Sequence, residues 1–170
     1  MKSKLNKYAY IVLNLEKFWN TLCSQNRAGK ANHAFVRRGV VGPKSAEKLF
    51  FYVTHPKKDI RGYADFVEQI TGDAKELWES IGHESLLSSY DEYQDFLQGR
   101  KKSTFIRFNK LKEFSKPVTK EVWTQIIGKE RMPQMGMYIT EKMANQLSRN
   151  FGANTDNNAN RRSICQKELS

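Results

Sequence analysis

Apolar residues fall in short bursts divided by polar turns, and the spacing inside each burst changes along the chain. Residues 8–14, Tyr-Ala-Tyr-Ile-Val-Leu-Asn, are aromatic and β-branched with no helical period, and predict a buried strand. Leu15, Phe18, Trp19 and Leu22 then recur at helical spacing, with Asn14 placed to cap the helix and Glu16 in its first turn. Residues 24–29, Ser-Gln-Asn-Arg-Ala-Gly, end that helix. Residues 32–37 suit either a short strand or an extended loop. Residues 39–43 hold Gly39, Gly42 and Pro43 and predict a turn. Residues 48–54, Lys-Leu-Phe-Phe-Tyr-Val-Thr, carry the strongest strand signal. Residues 55–59 make a hairpin-like turn, and residues 60–67 return as a strand in which Gly62 marks a bulge or a close approach.

The second half changes period. Leu77, Trp78 and Ile81 share a helical face behind a cap at Thr71 or Asp73. Tyr90, Tyr93, Phe96 and Leu97 form another, capped by Ser88 or Ser89. Residues 102–108 alternate as a strand, and Leu111, Phe114 and Pro117 lead into a linker. Residues 119–127 predict a short helix with its cap at Thr119, residues 135–140 a last strand and residues 141–149 a last helix. Residues 152–170 are nearly devoid of apolar side chains and predict a flexible polar tail, which leaves residues 1–151 as one domain. The irregular mixture of elements around an antiparallel Tyr52/Ile60 hairpin specifies an α+β fold. A small curved antiparallel pseudo-barrel with helices packed on the outside fits it best.

Composition narrows the function classes. A hydrophobic fraction of 39% suffices for a core, so a wholly disordered chain is excluded. No run approaches the roughly 20 apolar residues of a membrane span, so no membrane partner is expected. Residues 1–7 lack the apolar centre of a secretory signal. Two cysteines, Cys23 and Cys165, make neither a disulfide framework nor a metal quartet, and the expected location is the cytoplasm. The histidines at 33, 55 and 83 have no metal-ligand spacing, so no metal and no cofactor is expected.

Charge changes the picture most. The net charge is +11, but residues 1–62 hold 13 basic and 3 acidic side chains, residues 63–98 hold 1 and 9, and residues 99–132 hold 10 and 3. Two basic arms therefore flank an acidic helical block. Segregation of this kind makes a directional field that favours a polyanion, and the expected partner is nucleic acid, RNA ahead of DNA.

The central segment also resembles a known group. Residues 49–54, Leu-Phe-Phe-Tyr-Val-Thr, the turn His-Pro-Lys-Lys-Asp and residues 60–65, Ile-Arg-Gly-Tyr-Ala-Asp, resemble the hairpin of the PUA-like superfamily, which includes the ASCH, EVE and YTH domains. Glu76-Leu-Trp78, Tyr90-Asp-Glu-Tyr93, Thr104-Phe-Ile-Arg-Phe108 and Phe114-Ser-Lys-Pro-Val118 follow in the order found in ASCH-like proteins and in an uncharacterised archaeal PUA-like family. The resemblance spans roughly residues 8–140. It implies a PUA-like pseudo-barrel and binding of RNA or a modified nucleobase. The GxKxxExR signature of ASCH domains is not intact. Gly29-Lys30 lacks the glutamate, and Gly42 to Leu49 supplies glycine, lysine and Glu47 but has Leu49 in place of arginine.

Candidate contacts are therefore basic and aromatic. Lys30, His33, Phe35, Arg37 and Arg38 lie on the segment that borders the ligand cleft in the superfamily. Cations there would neutralise phosphates, and His33 or Phe35 would stack on a base. Tyr52 and Thr54 share one face by period-two alternation, so one can stack and the other can hydrogen-bond a base edge. Lys57, Lys58 and Arg61 form a second basic cluster, and Arg107 with Arg100, Lys101 and Lys102 a third. An ASCH-like hydrolase or ribonuclease is the enzymatic alternative, with Lys30 or Lys44, Glu47, Thr54 and His33 as its chemical groups. An adaptor that offers the acidic helices to a protein partner is another.

Overall fold

The computed structural model describes residues 6–149. The chain forms β1 (Ala9–Asn14), α1 (Glu16–Arg27), β2 (Asn32–Arg37), β3 (Lys48–Val53), β4 (Asp59–Asp73) and α2 (Ala74–Ile81). A 3₁₀ turn (Gly82–Glu84), α3 (Tyr90–Leu97), β5 (Lys102–Val118), α4 (Lys120–Ile127) and β6 (Met137–Ile139) follow, and residues 141–149 are helical. No described helix is long and apolar enough to cross a membrane. The expected tail at residues 152–170 lies outside the described residues.

One six-stranded sheet runs in the order β2-β5-β4-β3-β1-β6. Every pairing is antiparallel except β1 with β3, which run parallel in the register Ala9 to Lys48 through Asn14 to Val53. The sheet rolls up until its edge strand β2 reaches β1 and β3. Arg37 at the end of β2 donates from Nη2 to the Leu13 carbonyl of β1 at 3.3 Å, and Phe35 of β2 lies edge-on to Phe51 of β3 at 5.8 Å. This is the curved pseudo-barrel of the α+β reading.

Alternation along the strands feeds three cores. Val12, Phe35, Leu49, Phe51, Ile106 and Phe108 point inward and meet Trp19 and Leu22 of α1. Ile11, Phe50, Tyr52 and Ile60 point outward beneath Trp123 and Ile127 of α4 and Leu147 of the last helix. Ala34, Val36 and Phe105 are covered by Leu77 of α2 and by Tyr93 and Leu97 of α3. Both faces of β5 are thus buried around Phe105 and Ile106, a pattern that only helices on the outside permit.

Several local expectations are corrected. The first helix is capped by Leu15, with no side-chain cap bond, because Asn14 is still paired as the last residue of β1. Residues 32–37, which by sequence suit either a strand or an extended loop, take the strand alternative. The strand after Gly62 continues to Asp73, and the stretch expected as a linker after Phe108 is the second half of β5. Pro117 is tolerated there because β2 pairs only with residues 104–109, so that end of β5 has one neighbour. Gly62 does make a close approach. A methyl group at that position would overlap the Lys112 carbonyl oxygen and reach 2.8 Å from the Trp19 ring. The caps at Asp73 and Ser89 form as expected, each accepting an N–H three residues on.

Candidate functional site

Because β1 and β3 are parallel, Asn14 and Val53 finish at the same end of the sheet. Thr54 ties the two ends together: its backbone N–H and its hydroxyl both donate to the Asn14 carbonyl, at 3.0 and 3.4 Å. A cleft of about 470 Å³ opens beside them, large enough for a nucleotide-sized ligand. Leu13, Tyr52, Thr54 and His55 form one wall, and Lys120, Trp123, Arg131 and Gln134 another. Tyr52 is 5% exposed and meets Trp123 edge-on at 5.6 Å. Burial pushes its phenol pKa up, so it stays protonated at neutral pH. The Trp123 indole donates to the Lys58 carbonyl at 2.8 Å and fixes the turn that brings Lys58 to the cleft. Lys58, Lys120 and Arg131 face a single carboxylate there, Glu130.

The cleft continues past Leu13 and Gln134 to Arg37, which separates two small cavities of about 50 and 70 Å³. The Arg37 guanidinium donates to the Val36 carbonyl at 3.1 Å and to the Leu13 carbonyl, and sits 5.3 Å from the Phe35 ring centre. It makes no ion pair among the described residues. Arg27, Arg61 and Arg107, by contrast, are paired with Glu113, with Asp59 and Glu16, and with Glu84 and Glu68. Arg37 is half-buried, and burial lowers its pKa. A partly desolvated guanidinium held by neutral carbonyls is costly, and three of its five N–H donors make no bond among the described residues and are open to a further partner. Asn14 lines the larger of the two cavities, is 6% exposed, and leaves its Nδ2 without a partner among the described residues.

The expected residues thus separate. Phe35, Arg37, Tyr52, Thr54 and Lys58 gather along this cleft. Lys57 stands exposed in the neighbouring turn, and Arg38 is exposed beside Phe96. Lys30, His33 and Arg107 belong to a different cluster, toward the opposite end of β2. There Lys30 Nζ donates to Gln25 Oε1 and to the Ser85 carbonyl, both at 3.1 Å. His33 is buried, contacts Asn26 through Nε2 at 3.2 Å and stacks on Phe108 at 5.6 Å. Arg107 grips Glu84 through two bonds of 2.7 Å. Arg61 is held by Asp59 and Glu16. Of the groups considered for an enzyme, Lys30, Lys44, Glu47, Thr54 and His33, only Thr54 lines the large cleft. Burial pushes the Cys23 thiol up to about 12, so it is no nucleophile at neutral pH.

His33 supplies a pH dependence. Burial, and then the Lys30 charge, push its imidazole below the ordinary value of 6.5. The unfolded chain takes up that proton first as pH falls, so the stability due to neutral His33 is complete above about pH 6.5 and is lost below it. The melting temperature should drop between pH 7 and pH 5, and His33→Gln should flatten the drop. An unchanged pH profile in that variant would remove His33 from the account.

Sequence reasoning missed Asn14 as a site residue and did not reach Lys120, Trp123, Arg131 or Gln134. Asn14 reads as a helix cap because its position at the joint of two parallel strands is a tertiary fact. The other four come from the segment between β5 and β6, brought to the cleft by the addition of β6 beside β1.

The model of a family described as a domain of unknown function, DUF365, matches residues 25–132, a span that includes Arg37, Tyr52, Thr54, Lys58, Lys120, Trp123 and Arg131. An ASCH domain-containing ribonuclease of Zymomonas mobilis is 30% identical over 86 residues, 51% of this chain. The match spans 57% of that relative's length. The crystal structure of ASCH from Zymomonas mobilis superposes with a TM-score of 0.67 at 22% identity, over 82% of this chain and 92% of that one. A mutant of the same protein gives 0.69 at 21% identity, over 83% and 96%.

Proposed function

The chain belongs to the DUF365 family and has the PUA-like pseudo-barrel of ASCH domains, and from that premise we propose that it binds RNA in the cleft at the ends of β1 and β3. The observation that carries this reading is Arg37, a half-buried cation between two cavities with no carboxylate among the described residues and with donors to spare. A phosphate or the acceptor edge of a base completes its hydrogen bonds. Buried Tyr52 and Trp123 back the 470 Å³ cleft with ring edges, and Lys58, Lys120 and Arg131 would follow the backbone of a base splayed into it. The Zymomonas relative, named a ribonuclease, supports an RNA ligand over other polyanions.

The test is binding of a fluorescent single-stranded RNA by anisotropy over a range of salt. Four cations on the phosphates give a plot of log K against log salt with a slope of about −3. Absent binding, or a flat plot, would overturn the reading. The relative's name also favours a second reading, RNA cleavage in the same cleft. His55 and Thr54 stand at its rim and Lys58 and Lys120 could hold the scissile phosphate. Accumulation of RNA fragments, abolished by His55→Ala with binding retained, distinguishes cleavage from binding alone.

A further inference from the structure

The arginines of this fold are of two kinds. Arg27, Arg61 and Arg107 are spent on carboxylates, whereas Arg37, Arg38, Arg100, Arg131 and Arg149 make no ion pair among the described residues. Arg37, Arg38 and Arg100 are contiguous. Arg38 follows Arg37, donates to the Phe96 carbonyl at 2.6 Å and lies 4.9 Å from the Phe96 ring centre. Phe96 also lines the cavity beside Arg37. Arg100 donates to the Arg38 carbonyl at 3.0 Å. Beyond Arg100 a groove of about 430 Å³ opens between the start of α2 and the end of α3, with Lys75 and Lys101 on its walls. Its floor is Tyr93, fully buried and bonded to the Ala74 carbonyl at 2.7 Å. Half-buried Tyr90 lies at its side, braced by Trp78 with ring centres 6.2 Å apart. The groove's carboxylate, Asp73, is occupied in capping α2 through the Glu76 N–H. Lys75, Arg100 and Lys101 therefore outweigh it, and they adjoin an aromatic face, although α2 and α3 belong to the acidic block of the chain.

We propose that single-stranded RNA held in the cleft runs past Arg37, across Arg38 and Arg100, and into this groove, where a second nucleotide stacks on Tyr90 with its phosphates on Lys75, Arg100 and Lys101. The proposal rests on the cleft being the primary RNA site. It makes the ligand a strand several nucleotides long, in keeping with how cationic grooves with aromatic platforms bind single strands. It also gives Arg38 and Arg100 an anionic partner that the described residues do not supply.

A trinucleotide and a twelve-nucleotide RNA separate the two sites. The Arg100→Ala/Lys101→Ala double variant, both positions exposed, is expected to bind the longer RNA about tenfold more weakly and the trinucleotide as the native chain does. Its salt slope on the longer RNA should be shallower by about 1.4, the equivalent of two phosphates. Tyr90→Leu should weaken the longer RNA alone, without changing the salt slope. If Arg37→Ala weakens both RNAs while the double variant weakens neither, the groove carries no strand and this proposal falls with the cleft reading intact. If the native chain binds neither RNA, both fall. Melting curves establish that the variants are folded.

Discussion

Arg37→Met is expected to bind single-stranded RNA about 30-fold more weakly than the native chain while melting at the same or a higher temperature. The two effects have opposite signs for one physical reason. In the free protein the guanidinium is half-buried beside Phe35 and answered, among the described residues, by the Leu13 and Val36 carbonyls. Its charge therefore costs folding energy, and a hydrophobic side chain of similar volume relieves that cost. In the complex the same charge meets an anion in a site of low dielectric. Truncating one member of such a pair costs about 2 kcal/mol or more, which is roughly a 30-fold loss of affinity. Isothermal titration and thermal melting of one protein preparation check both halves. A residue with a merely structural role would lower both quantities together.

The opposite behaviour is expected at Arg107. Arg107→Ala should destabilise the fold by about 3–5 kcal/mol, because it strands a buried carboxylate. Glu84 is 5% exposed, and its two oxygens are held by Arg107 Nε and Nη2 at 2.7 Å each. Glu68 loses its partner too, but stands nearer solvent. The pair also anchors the 3₁₀ turn to β5, and through Ser85, which bridges to Ala34, to the edge strand β2. Arg107→Lys should recover only part of the loss, since one ammonium cannot meet both carboxylate oxygens as the planar fork does. Urea unfolding of the three chains measures this. A shift below about 1 kcal/mol in the alanine variant would show that Glu84 finds other partners.

Elements set by local chemistry could be read from the sequence. The β3 burst, the turn after it and the caps at Asp73 and Ser89 depend on neighbouring residues, and they form where the spacing puts them. The far halves of β4 and β5 could not be read in this way. Register shifts at Ile60/Gly62, Tyr63/Asp65 and Phe66/Glu68 reset the inward and outward alternation, and Lys110 takes a positive φ of 52°, so no single period survives. The site divides along the same line. Tyr52 and Thr54 follow from period two on a strong strand. Arg61 and Arg107 look like Arg37 in sequence, as basic residues near aromatic ones. What distinguishes them is acid: Asp59, two residues away, and Glu16 for Arg61, and Glu68 and Glu84 for Arg107, of which all but Asp59 are brought within reach by the rolled sheet. The net charge of +11 thus predicts that a polyanion is wanted, and the ion pairs decide which cations remain to hold it.

The most direct test of the proposed RNA site is a map of amide resonances as a short single-stranded RNA is titrated into the folded protein. Shifts should concentrate at Leu13, Asn14, Arg37 and Tyr52 to Thr54, with the Trp123 and Asn14 side-chain N–H signals moving in step. Lys30, His33 and Arg107 should stay in place. Shifts confined to that second group, with the Arg37 region silent, would contradict the assignment.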